Sequence, residues 1–387
     1  MKKIYVAFIC LLLIIGTLFT SNNLIVKASD VEDINSKSYV LLDKNSGQII
    51  VENNANNKMP VASICKLMTS LIVLEKIEKG LLSLEDELVA SSYACSMEGS
   101  QAFLDENNKY KVYDLLKSVV VASANDSCVV LAEGVAGSEK EFVKLMNQKA
   151  EQLNMTNTYY ENSNGLPTPN QYSTALDTAK VLKQISNYDL YNQLSNIWMD
   201  KLVHPSGRET ELVNTNRLIK YYDYCLNGKT GFTDEAGYCL ASSAENNGLV
   251  LISVVLNADD AGSRFSDSVK LYNYGFANYE NKQVVFKNQP LNDTISICQG
   301  TKNDIRVTPK DDCFVLLKKG ENLNIDMQYV FNKNIKAPIK VGDVVGSCNV
   351  LNNGKEIAKI DIVSLDNVDK QKMGDIVEKI TNKWAII

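Results

Sequence analysis

The sequence predicts an α/β fold in which helices pack on an antiparallel sheet, followed by a small all-β domain. Strand-like segments lie at both ends of residues 29–278, with helix-like segments between them, and short β-rich segments fill residues 282–366. The first pattern is typical of an α/β sandwich. The 387 residues exceed what one compact core usually holds, and 45% hydrophobic content is ample for two cores. We therefore expect two domains over these ranges.

The first domain is expected to begin with a β-hairpin and to continue with helices. Residues Ser38–Glu52 have the pattern of strand, turn and strand, with the turn at Asp43–Gly47. An apolar segment at Ser63–Gly80 predicts a helix, and Tyr159–Tyr172 is a polar loop. Further helices are predicted at Val112–Ala122, Cys128–Val135, Lys140–Leu153 and Leu176–Ile185.

The chain returns to strands after Lys229. Tyr238–Ser243 and Leu249–Leu256 flank Asn246-Asn247-Gly248, which is a good hairpin turn, and Val269–Tyr279 predicts a closing helix. In the second domain, nothing has a catalytic pattern, so we expect a spacer or docking role. Its β-rich segments are Gln283–Phe286, Thr294–Cys298, Phe314–Leu317, Ile335–Ile339 and Lys355–Ile362.

The N-terminus has the pattern of a secretory signal. Lys2-Lys3 precede the apolar segment Ile4–Phe19, and Ala28 completes a cleavage-site pattern before Ser29. This predicts a signal peptide over residues 1–28 and export to the outer face of the cytoplasmic membrane or the cell wall. An uncleaved N-terminal anchor is the alternative.

The C-terminal residues 368–387 place apolar side chains at helical spacing among lysines. A basic amphipathic helix of about 15 residues is too short to span a bilayer but suits its interface. We expect this helix to bind the membrane surface. Packing of the helix on the β domain is the alternative.

Charge and cysteine positions exclude some function classes. The chain has 40 Lys and Arg against 46 Asp and Glu, and loss of residues 1–28 removes three lysines and no acid, which leaves a net charge of −9. Such an acidic protein is a poor candidate for nucleic-acid binding. Among nine cysteines, Cys65, Cys128 and Cys239 lie in motif or apolar segments, and no C-x-x-C pair occurs. We expect buried free thiols and no metal site.

Ser63-Ile64-Cys65-Lys66 is the only S-x-x-K in the sequence. Residues three apart share a helix face, so the Lys66 amine would lie beside the Ser63 hydroxyl. Serine becomes nucleophilic when a neighbouring base takes its proton, and a lysine can be that base when burial or a second cation lowers its pKa. In the first helical turn, Ser63 would also lie near unpaired backbone N–H groups that stabilise negative charge.

Two further patterns supply groups that a Ser/Lys site lacks. Ser123-Ala124-Asn125 lies between two apolar helices, where an exposed turn could project a hydroxyl and an amide into a cleft. In Lys229-Thr230-Gly231, the glycine leaves a strand edge clear for a ligand backbone, and the cation and hydroxyl suit a carboxylate. Taken singly, each pattern is more often a solvated loop or a strand end.

Together, S-x-x-K, S-x-N and K-T-G in this order resemble the signature of penicillin-binding proteins and active-site-serine β-lactamases. Flanking segments narrow the resemblance to low-molecular-mass D-alanyl-D-alanine carboxypeptidases, from about Ser38 to the end of the chain. These segments are Pro60–Ser63, Gly99–Gln101, Ala122–Asp126, Asn164–Pro167, Asn214–Asn216 and Gly228–Thr233. The resemblance implies a penicillin-binding/β-lactamase-like fold and no cofactor.

The resemblance also implies a reaction. Ser63 would attack the penultimate carbonyl of a peptidoglycan pentapeptide with Lys66 as general base, and Ser123 with Lys229 would pass a proton to the departing D-alanine. Water would then hydrolyse the acyl-enzyme. β-Lactam antibiotics, which mimic the dipeptide, would act as covalent inhibitors at Ser63.

Substrate binding is implied for a second set of residues. Asn125 would hold the peptide amide, and Thr230 would bind the terminal carboxylate, with Arg264 as a further candidate. Gly231 would leave room for the substrate. The backbone N–H of Phe232 would stabilise the oxyanion together with that of Ser63.

Other activities remain open on these residues. Many relatives carry a histidine in the segment that here reads Gln171–Ala175 without one, which leaves a slow or non-hydrolytic penicillin-binding wall protein as an alternative. A β-lactamase and a DD-endopeptidase are further alternatives with the same nucleophile. The chain has one histidine, His204, which we expect in a surface loop rather than as a base.

Overall fold

The architecture comes from a computed structural model, which describes residues 31 and 33–374. The chain divides into two compact units between Ala277 and Asn278. The predicted signal peptide and residues 375–387 of the predicted tail lie outside the described residues. Within the described part, none of the helices combines the length and apolar content needed to cross a membrane.

Strands and helices alternate along the first unit, and strands form the second. The described strands are β1 (Ser38–Asp43), β2 (Ile49–Asn53), β3 (Glu87–Val89), β4 (Lys109–Lys111), β5 (Met199–Val203), β6 (Glu209–Val213), β7 (Cys225–Thr233), β8 (Gly237–Asn246), β9 (Leu249–Ala258), β10 (Tyr279–Val285), β11 (Thr294–Ser296), β12 (Asp304–Pro309), β13 (Cys313–Lys318), β14 (Ile325–Phe331), β15 (Val344–Asn352) and β16 (Lys355–Ser364). The described α-helices are α1 (Lys66–Glu78), α2 (Ser92–Cys95), α3 (Val112–Val121), α4 (Asn125–Ala136), α5 (Glu139–Gln152), α6 (Ala175–Ile185), α7 (Asp189–Ser195), α8 (Leu218–Tyr221) and α9 (Ser263–Asn278).

The first unit contains a five-stranded antiparallel sheet in the order β2-β1-β9-β8-β7. The N-terminal hairpin joins the sheet through β1, where Val40 lies opposite Val254 of β9. All residues from Leu251 to Leu256 of β9 are buried, as expected for a strand covered on both faces. At the other side, β7 is the last strand, so its segment Lys229–Phe232 lies at a sheet edge.

Helix α1 runs through the core of this unit. Every residue from Lys66 to Leu74 is buried, which is the pattern of a helix surrounded by other elements. Ser63 lies just before it on a single 3-10 turn, Ala62–Cys65, so the predicted helix over Ser63–Gly80 is wrong at its start. A 3-10 turn is common where an α-helix begins.

The second unit is all-β. One sheet has the order β11-β12-β16-β15-β14, and β10 pairs with β13. Its core includes Val307, Val350 and Ile362, each fully buried. Val368, at the start of the predicted tail, is 2% exposed and exchanges both backbone hydrogen bonds with Ile339. The predicted class, an α/β fold followed by a small all-β domain, is confirmed.

Element boundaries differ from the sequence prediction in several places. Helix α9 begins at Ser263, before the predicted Val269, because Asp260 accepts hydrogen bonds from the Ser263 N–H and hydroxyl and so caps an earlier turn. The predicted strand Ile335–Ile339 makes only isolated bridges. The prediction also missed several elements, which are helices α2, α7 and α8, the small sheets β3–β4 and β5–β6, and strands β12, β14 and β15. Among these, α2, α8, β3 and β4 have only three or four residues and carry little periodicity.

Candidate active site

The Ser63 hydroxyl and the Lys66 amine are in contact at the start of α1. Lys66 Nζ lies 2.9 Å from Ser63 Oγ. Ser63 is partly exposed, whereas Lys66 is 1% exposed. The preceding residue, Ala62, has a φ of 47°, which a residue with a side chain rarely adopts. Such strained backbone is concentrated at functional sites.

The surroundings of Lys66 favour its neutral form. Burial lowers the pKa of Lys66, and this effect outweighs the opposing influence of Cys128, Cys65 and Asp126. The amine also donates a hydrogen bond to the backbone oxygen of Asn164. A lysine with a lowered pKa can accept a proton from a serine more readily than an ordinary lysine does.

Ser123 and Lys229 form a second hydroxyl–amine pair. Lys229 Nζ lies 2.8 Å from Ser123 Oγ and 3.0 Å from the backbone oxygen of Thr230. Ser123 connects α3 and α4 with a φ of 63°. Burial holds the pKa of Lys229 well below its usual value, and the charges of Lys66 and Arg264 lower it further. The site thus contains two buried amines, each against a serine hydroxyl.

Asn125 presents a buried acceptor without a partner. Its Nδ2 donates to the Glu98 oxygen at 2.6 Å, while its Oδ1 has no hydrogen bond within the described residues. Ser123 and Asn125 are each only 4% exposed, so the predicted exposed turn is wrong. The turn is sheltered because the Asn125 N–H and side chain are both bonded to the Glu98–Ser100 segment.

Thr230 and Arg264 meet at the edge of β7. Thr230 Oγ1 donates to Thr215 Oγ1 at 2.7 Å, and Arg264 Nη1 donates to the Gly231 oxygen at 3.2 Å. The guanidinium lies 5.5 Å from the centre of the Tyr238 ring, a cation–π distance, and its Nε has no partner in the described part. A hydroxyl and a guanidinium side by side suit a carboxylate.

Gly231 and Phe232 shape the strand edge. A Cβ at Gly231 would lie 2.6 Å from the Val61 oxygen, so a side chain there would push β7 away from the turn that carries Ser63. Phe232 is 48% exposed and stacks on Tyr238 with ring centres 4.4 Å apart. The strand therefore offers backbone at Gly231 and an apolar surface at Phe232.

The side chains described above surround one cleft of about 470 Å³. This volume is within the range of small-molecule sites. Lys66 and Lys229 lie below the lining and reach it through Ser63 and Ser123. The lining residues are Ser63, Gly99, Ser100, Ser123, Asn125, Gly165, Leu166, Thr215, Thr230, Gly231, Phe232, Thr233 and Arg264.

Sequence reasoning assigned no role to Thr215 or to the loop Ser163–Gly165. Gly165 has a φ of 87°, and a Cβ there would lie 2.1 Å from the Ala62 oxygen. The loop therefore packs directly on the backbone before Ser63. The segments Asn164–Pro167 and Asn214–Asn216 carry part of the family resemblance, which is the one signal in the sequence for their importance.

His204 is not a surface histidine, so that expectation is wrong. It is 2% exposed, with Nδ1 2.9 Å from the Tyr110 hydroxyl and Nε2 2.8 Å from Thr210 Oγ1. Burial lowers its pKa, and Arg208 adds to this effect. The end of the β5–β6 hairpin folds against Tyr110, which buries the ring outside the cleft.

Thiols near the site are present without forming disulfides. All eight cysteines in residues 31 and 33–374 are free, and the predicted burial of Cys65, Cys128 and Cys239 is confirmed. The same residues include no group of three or more His, Cys, Asp or Glu side chains that could hold a metal ion.

Known proteins resemble this chain along most of its length. A sequence profile described as D-alanyl-D-alanine carboxypeptidase matches residues 25–260, and one described as the C-terminal domain of penicillin-binding protein 5 matches residues 279–370. D-alanyl-D-alanine carboxypeptidase DacF of Bacillus subtilis is 33% identical over 351 residues, which cover 90% of each chain. DacC of Escherichia coli is 31% identical, over 88% of this chain and 86% of that protein.

Solved structures of related proteins also superimpose on most of the chain. Penicillin-binding protein 5 from Haemophilus influenzae superimposes with a TM-score of 0.71 at 30% identity, over 87% of this chain and 98% of that one. DacD from Francisella tularensis gives 0.66 at 29% identity, over 88% and 95%. The first profile alone spans more than half of the chain. The chain therefore belongs to the D-alanyl-D-alanine carboxypeptidase family of low-molecular-mass penicillin-binding proteins.

Proposed function

We propose that this chain removes the terminal D-alanine from peptidoglycan stem pentapeptides through an acyl-enzyme on Ser63. The reaction class is that of the serine-type D-alanyl-D-alanine carboxypeptidases to which the chain belongs. The assignment to Ser63 rests on one observation above the others, the 2.9 Å contact between its hydroxyl and the buried Lys66 amine at the cleft.

Acylation starts with proton transfer from Ser63 to Lys66. The Ser63 oxygen attacks the carbonyl of the penultimate D-alanine while the neutral Lys66 amine takes the proton. The tetrahedral oxyanion is stabilised by the backbone N–H groups of Ser63 and Phe232. Support for this arrangement comes from Gly231, whose missing side chain lets β7 approach the turn before Ser63.

Departure of D-alanine requires a proton on its amine. Ser123 donates its hydroxyl proton to the leaving nitrogen as the C–N bond breaks, and Lys229 returns a proton to Ser123. The 2.8 Å bond between Lys229 and Ser123 supports this relay. The proton that Lys66 took from Ser63 passes to Lys229, which replaces the one that Lys229 gave up and makes Lys66 neutral again. Water then attacks the ester and gives a proton to Lys66, which passes it to Ser63 Oγ as the shortened peptide leaves.

Recognition of the dipeptide uses one unpaired acceptor and two donor side chains of the cleft. The substrate amide N–H would bond to Asn125 Oδ1, which otherwise has no partner in the described part. The terminal carboxylate would bind between Thr230 and Arg264, which both line the cleft, and would take their donors over from the Thr215 hydroxyl and the Gly231 backbone oxygen. β-Lactams carry the same amide and carboxylate and would acylate Ser63.

A DD-endopeptidase activity at the same nucleophile is the second candidate. A D-alanyl-D-alanine endopeptidase of Escherichia coli is 33% identical over 242 residues, which cover 62% of this chain. That alignment covers less of the chain than the alignment with the carboxypeptidase DacF, which covers 90%. We therefore favour the carboxypeptidase.

We also propose that the protein acts outside the cytoplasm, anchored by its C-terminal residues. Its relatives' substrate, peptidoglycan, lies outside the cytoplasmic membrane, and residues 1–28 have a signal-peptide pattern. The amphipathic pattern of the tail supports binding to a membrane surface.

The first test measures D-alanine release from diacetyl-L-lysyl-D-alanyl-D-alanine by residues 29–387. Ser63→Ala removes the nucleophile, so we expect both D-alanine release and covalent labelling by fluorescent penicillin to disappear. Ser206→Ala, an exposed serine outside the cleft, is the matched control and keeps both activities. Labelling without release would support a non-hydrolytic protein instead. Release that persists in Ser63→Ala would overturn the assignment.

A further inference from the structure

Lys66 is held by the loop Ser163–Gly165 as well as by Ser63. Its Nζ donates to the Asn164 backbone oxygen and lies 2.9 Å from Ser63 Oγ. A neutral amine has two N–H groups and one lone pair. Since one N–H is fixed on the Asn164 oxygen, the position of that oxygen decides whether the lone pair can face Ser63.

The neighbouring carbonyl, of Ser163, ties this loop to three other elements. It accepts hydrogen bonds from Thr69 Oγ1 at 2.6 Å, from Cys128 Sγ at 3.0 Å and from Cys65 Sγ at 3.5 Å. These donors belong to α1, α4 and the 3-10 turn, and Ser163 itself is fully buried. The Ser163–Asn164 peptide is thus the contact between the loop and the catalytic helix.

The other side of Ser163 is held by a single carboxylate. Glu139 Oε1 accepts both the Ser163 N–H, at 2.9 Å, and its hydroxyl, at 2.6 Å. The second oxygen, Oε2, accepts the Tyr93 hydroxyl at 2.7 Å. Glu139 is the first residue of α5, where the helix N-terminus favours a negative charge. Hydrogen bonds to a charged acceptor are stronger than neutral ones.

We propose that Glu139 is a positioning residue for the reaction, which acts through Ser163 and Asn164 to hold the Lys66 amine against Ser63. This inference rests on the proposed function of Ser63 and Lys66. Glu139 does not line the cleft, so its effect is indirect. Tyr93 supports the same carboxylate from α2 and belongs to the same chain of contacts.

The charged and titratable groups around Lys66 determine what a loosened loop would do to it. They are Cys65 beside it, Cys128 and Asp126 on α4, and Lys229 on β7. A carbonyl acceptor favours the ammonium form, as does a nearby anion. Loss of the Asn164 contact would therefore lower the pKa of Lys66 while it removes the orientation of its lone pair.

The test measures the acylation rate of Ser63 by fluorescent penicillin against pH in the full chain, residues 29–387. We expect Glu139→Ala to lower the plateau rate by about 10- to 100-fold, since a shift near 1 Å in a catalytic group has effects of this size. The acidic limb of the profile should move to lower pH. Glu139→Gln keeps the Oε1 acceptor for Ser163, so it should retain a plateau within about threefold of wild type.

The matched control is Glu141→Ala. Glu141 is in the same first turn of α5, but its carboxylate pairs with Lys144 at 2.7 Å and makes no contact with the loop. Removal of the Glu141 carboxylate should leave the plateau rate of acylation and the acidic limb of its pH profile unchanged. If Glu139→Ala only reduced the fraction of folded protein, the rate per active site and the pH midpoint would stay those of wild type, and the proposal would be wrong.

A wild-type acylation rate as low as that of Ser63→Ala would refute the proposed function itself, independently of Glu139. If Glu139→Ala does not fold, Tyr93→Phe and Glu139→Gln decide. Tyr93→Phe should lower the plateau by a few-fold, since it frees one carboxylate oxygen without touching Ser163. A Tyr93→Phe profile equal to that of wild type would overturn the inference.

Discussion

Two lysine amines lie in one buried site, and neither can be charged as easily as it would be in water. Burial is the largest cause of the lowered pKa at both Lys66 and Lys229, and repulsion between them lowers the pKa of Lys229 further. When two such groups interact, their protons leave in steps that belong to the pair. A base and a proton donor can therefore coexist in the same site.

This pairing predicts the pH dependence of acylation. In the proposed mechanism the deprotonated Lys66 accepts the Ser63 proton, so the rate should rise with pH and level off. Because the pKa of Lys66 is lowered from 10.5, the midpoint of the rise should lie below pH 10.5. Stopped-flow labelling with a chromogenic β-lactam measures it.

Lys229→Gln tests the Ser123 relay in the same experiment. Removal of the amine breaks its 2.8 Å contact with the Ser123 hydroxyl, so the plateau rate should fall. A wild-type midpoint at or above pH 10.5 would contradict the role of Lys66 as a buried base.

At the scale of elements, the site is assembled where a loop, a turn and a strand edge approach without side chains between them. Gly165 brings its loop onto the Ala62 oxygen, and Gly231 brings β7 onto the Val61 oxygen. Both contacts fall on the two residues before Ser63. The position of the nucleophile is therefore set by glycines on either side of it.

Gly165→Ala and Gly207→Ala form a matched pair that tests this. Both glycines have positive φ, 87° and 83°, but a Cβ at Gly207 meets nothing within 4 Å. Gly207→Ala should lower the free energy of unfolding by about 1–2 kcal/mol, from backbone strain alone. Gly165→Ala adds a clash with the Ala62 backbone, so its loss of unfolding free energy, measured with urea, should be clearly larger. It should also slow acylation at least about tenfold. Equal losses of unfolding free energy and equal acylation rates for the two variants would rule out the close packing of Gly165 on Ala62.

At the scale of the whole molecule, the chain forms two units, each with its own core. The core of the first unit surrounds α1, and that of the second is formed by strands such as β12, β15 and β16. The C-terminal segment belongs to the second unit as far as Gln371, whose N–H bonds to the Gln299 oxygen. Met373, just beyond, is 80% exposed.

The tail prediction can be tested by truncation after Gly374. This cut keeps the contacts of Val368 and Gln371 and removes the apolar residues from Ile376 to Trp384. We expect residues 29–387 to sediment with anionic phospholipid vesicles, and residues 29–374 to remain in solution with unchanged penicillin labelling. Equal sedimentation of both proteins would show that the tail does not bind the membrane.

The sequence alone predicted which residues form the candidate site but not how deeply they are buried. The S-x-x-K, S-x-N and K-T-G patterns identified Ser63, Ser123 and Lys229, since each pattern is local. Burial of Ser123 and Asn125 depends on the Glu98–Ser100 segment, which is distant in the chain, so local reasoning placed them on an exposed turn. The role of Glu139 depends on a contact with Ser163 across 24 positions.

Fold class was predictable because long periodic segments such as α3 and β9 carry strong patterns. Short elements were not, since three residues of β3 or β4 show no period. His204 shows the same limit for a single residue. Its polar neighbours Pro205 and Ser206 suggested a surface loop, and only the packing of Tyr110 against the hairpin buries the ring.

Asn125 Oδ1 makes no hydrogen bond within the described residues, and we propose it as the acceptor for the N–H of a substrate or a β-lactam. A ligand that binds only the folded protein stabilises it, so occupancy of the cleft and folding are thermodynamically linked. In this proposal, an apolar replacement of Asn125 that stabilised the free protein would also remove the acceptor on which substrate recognition depends.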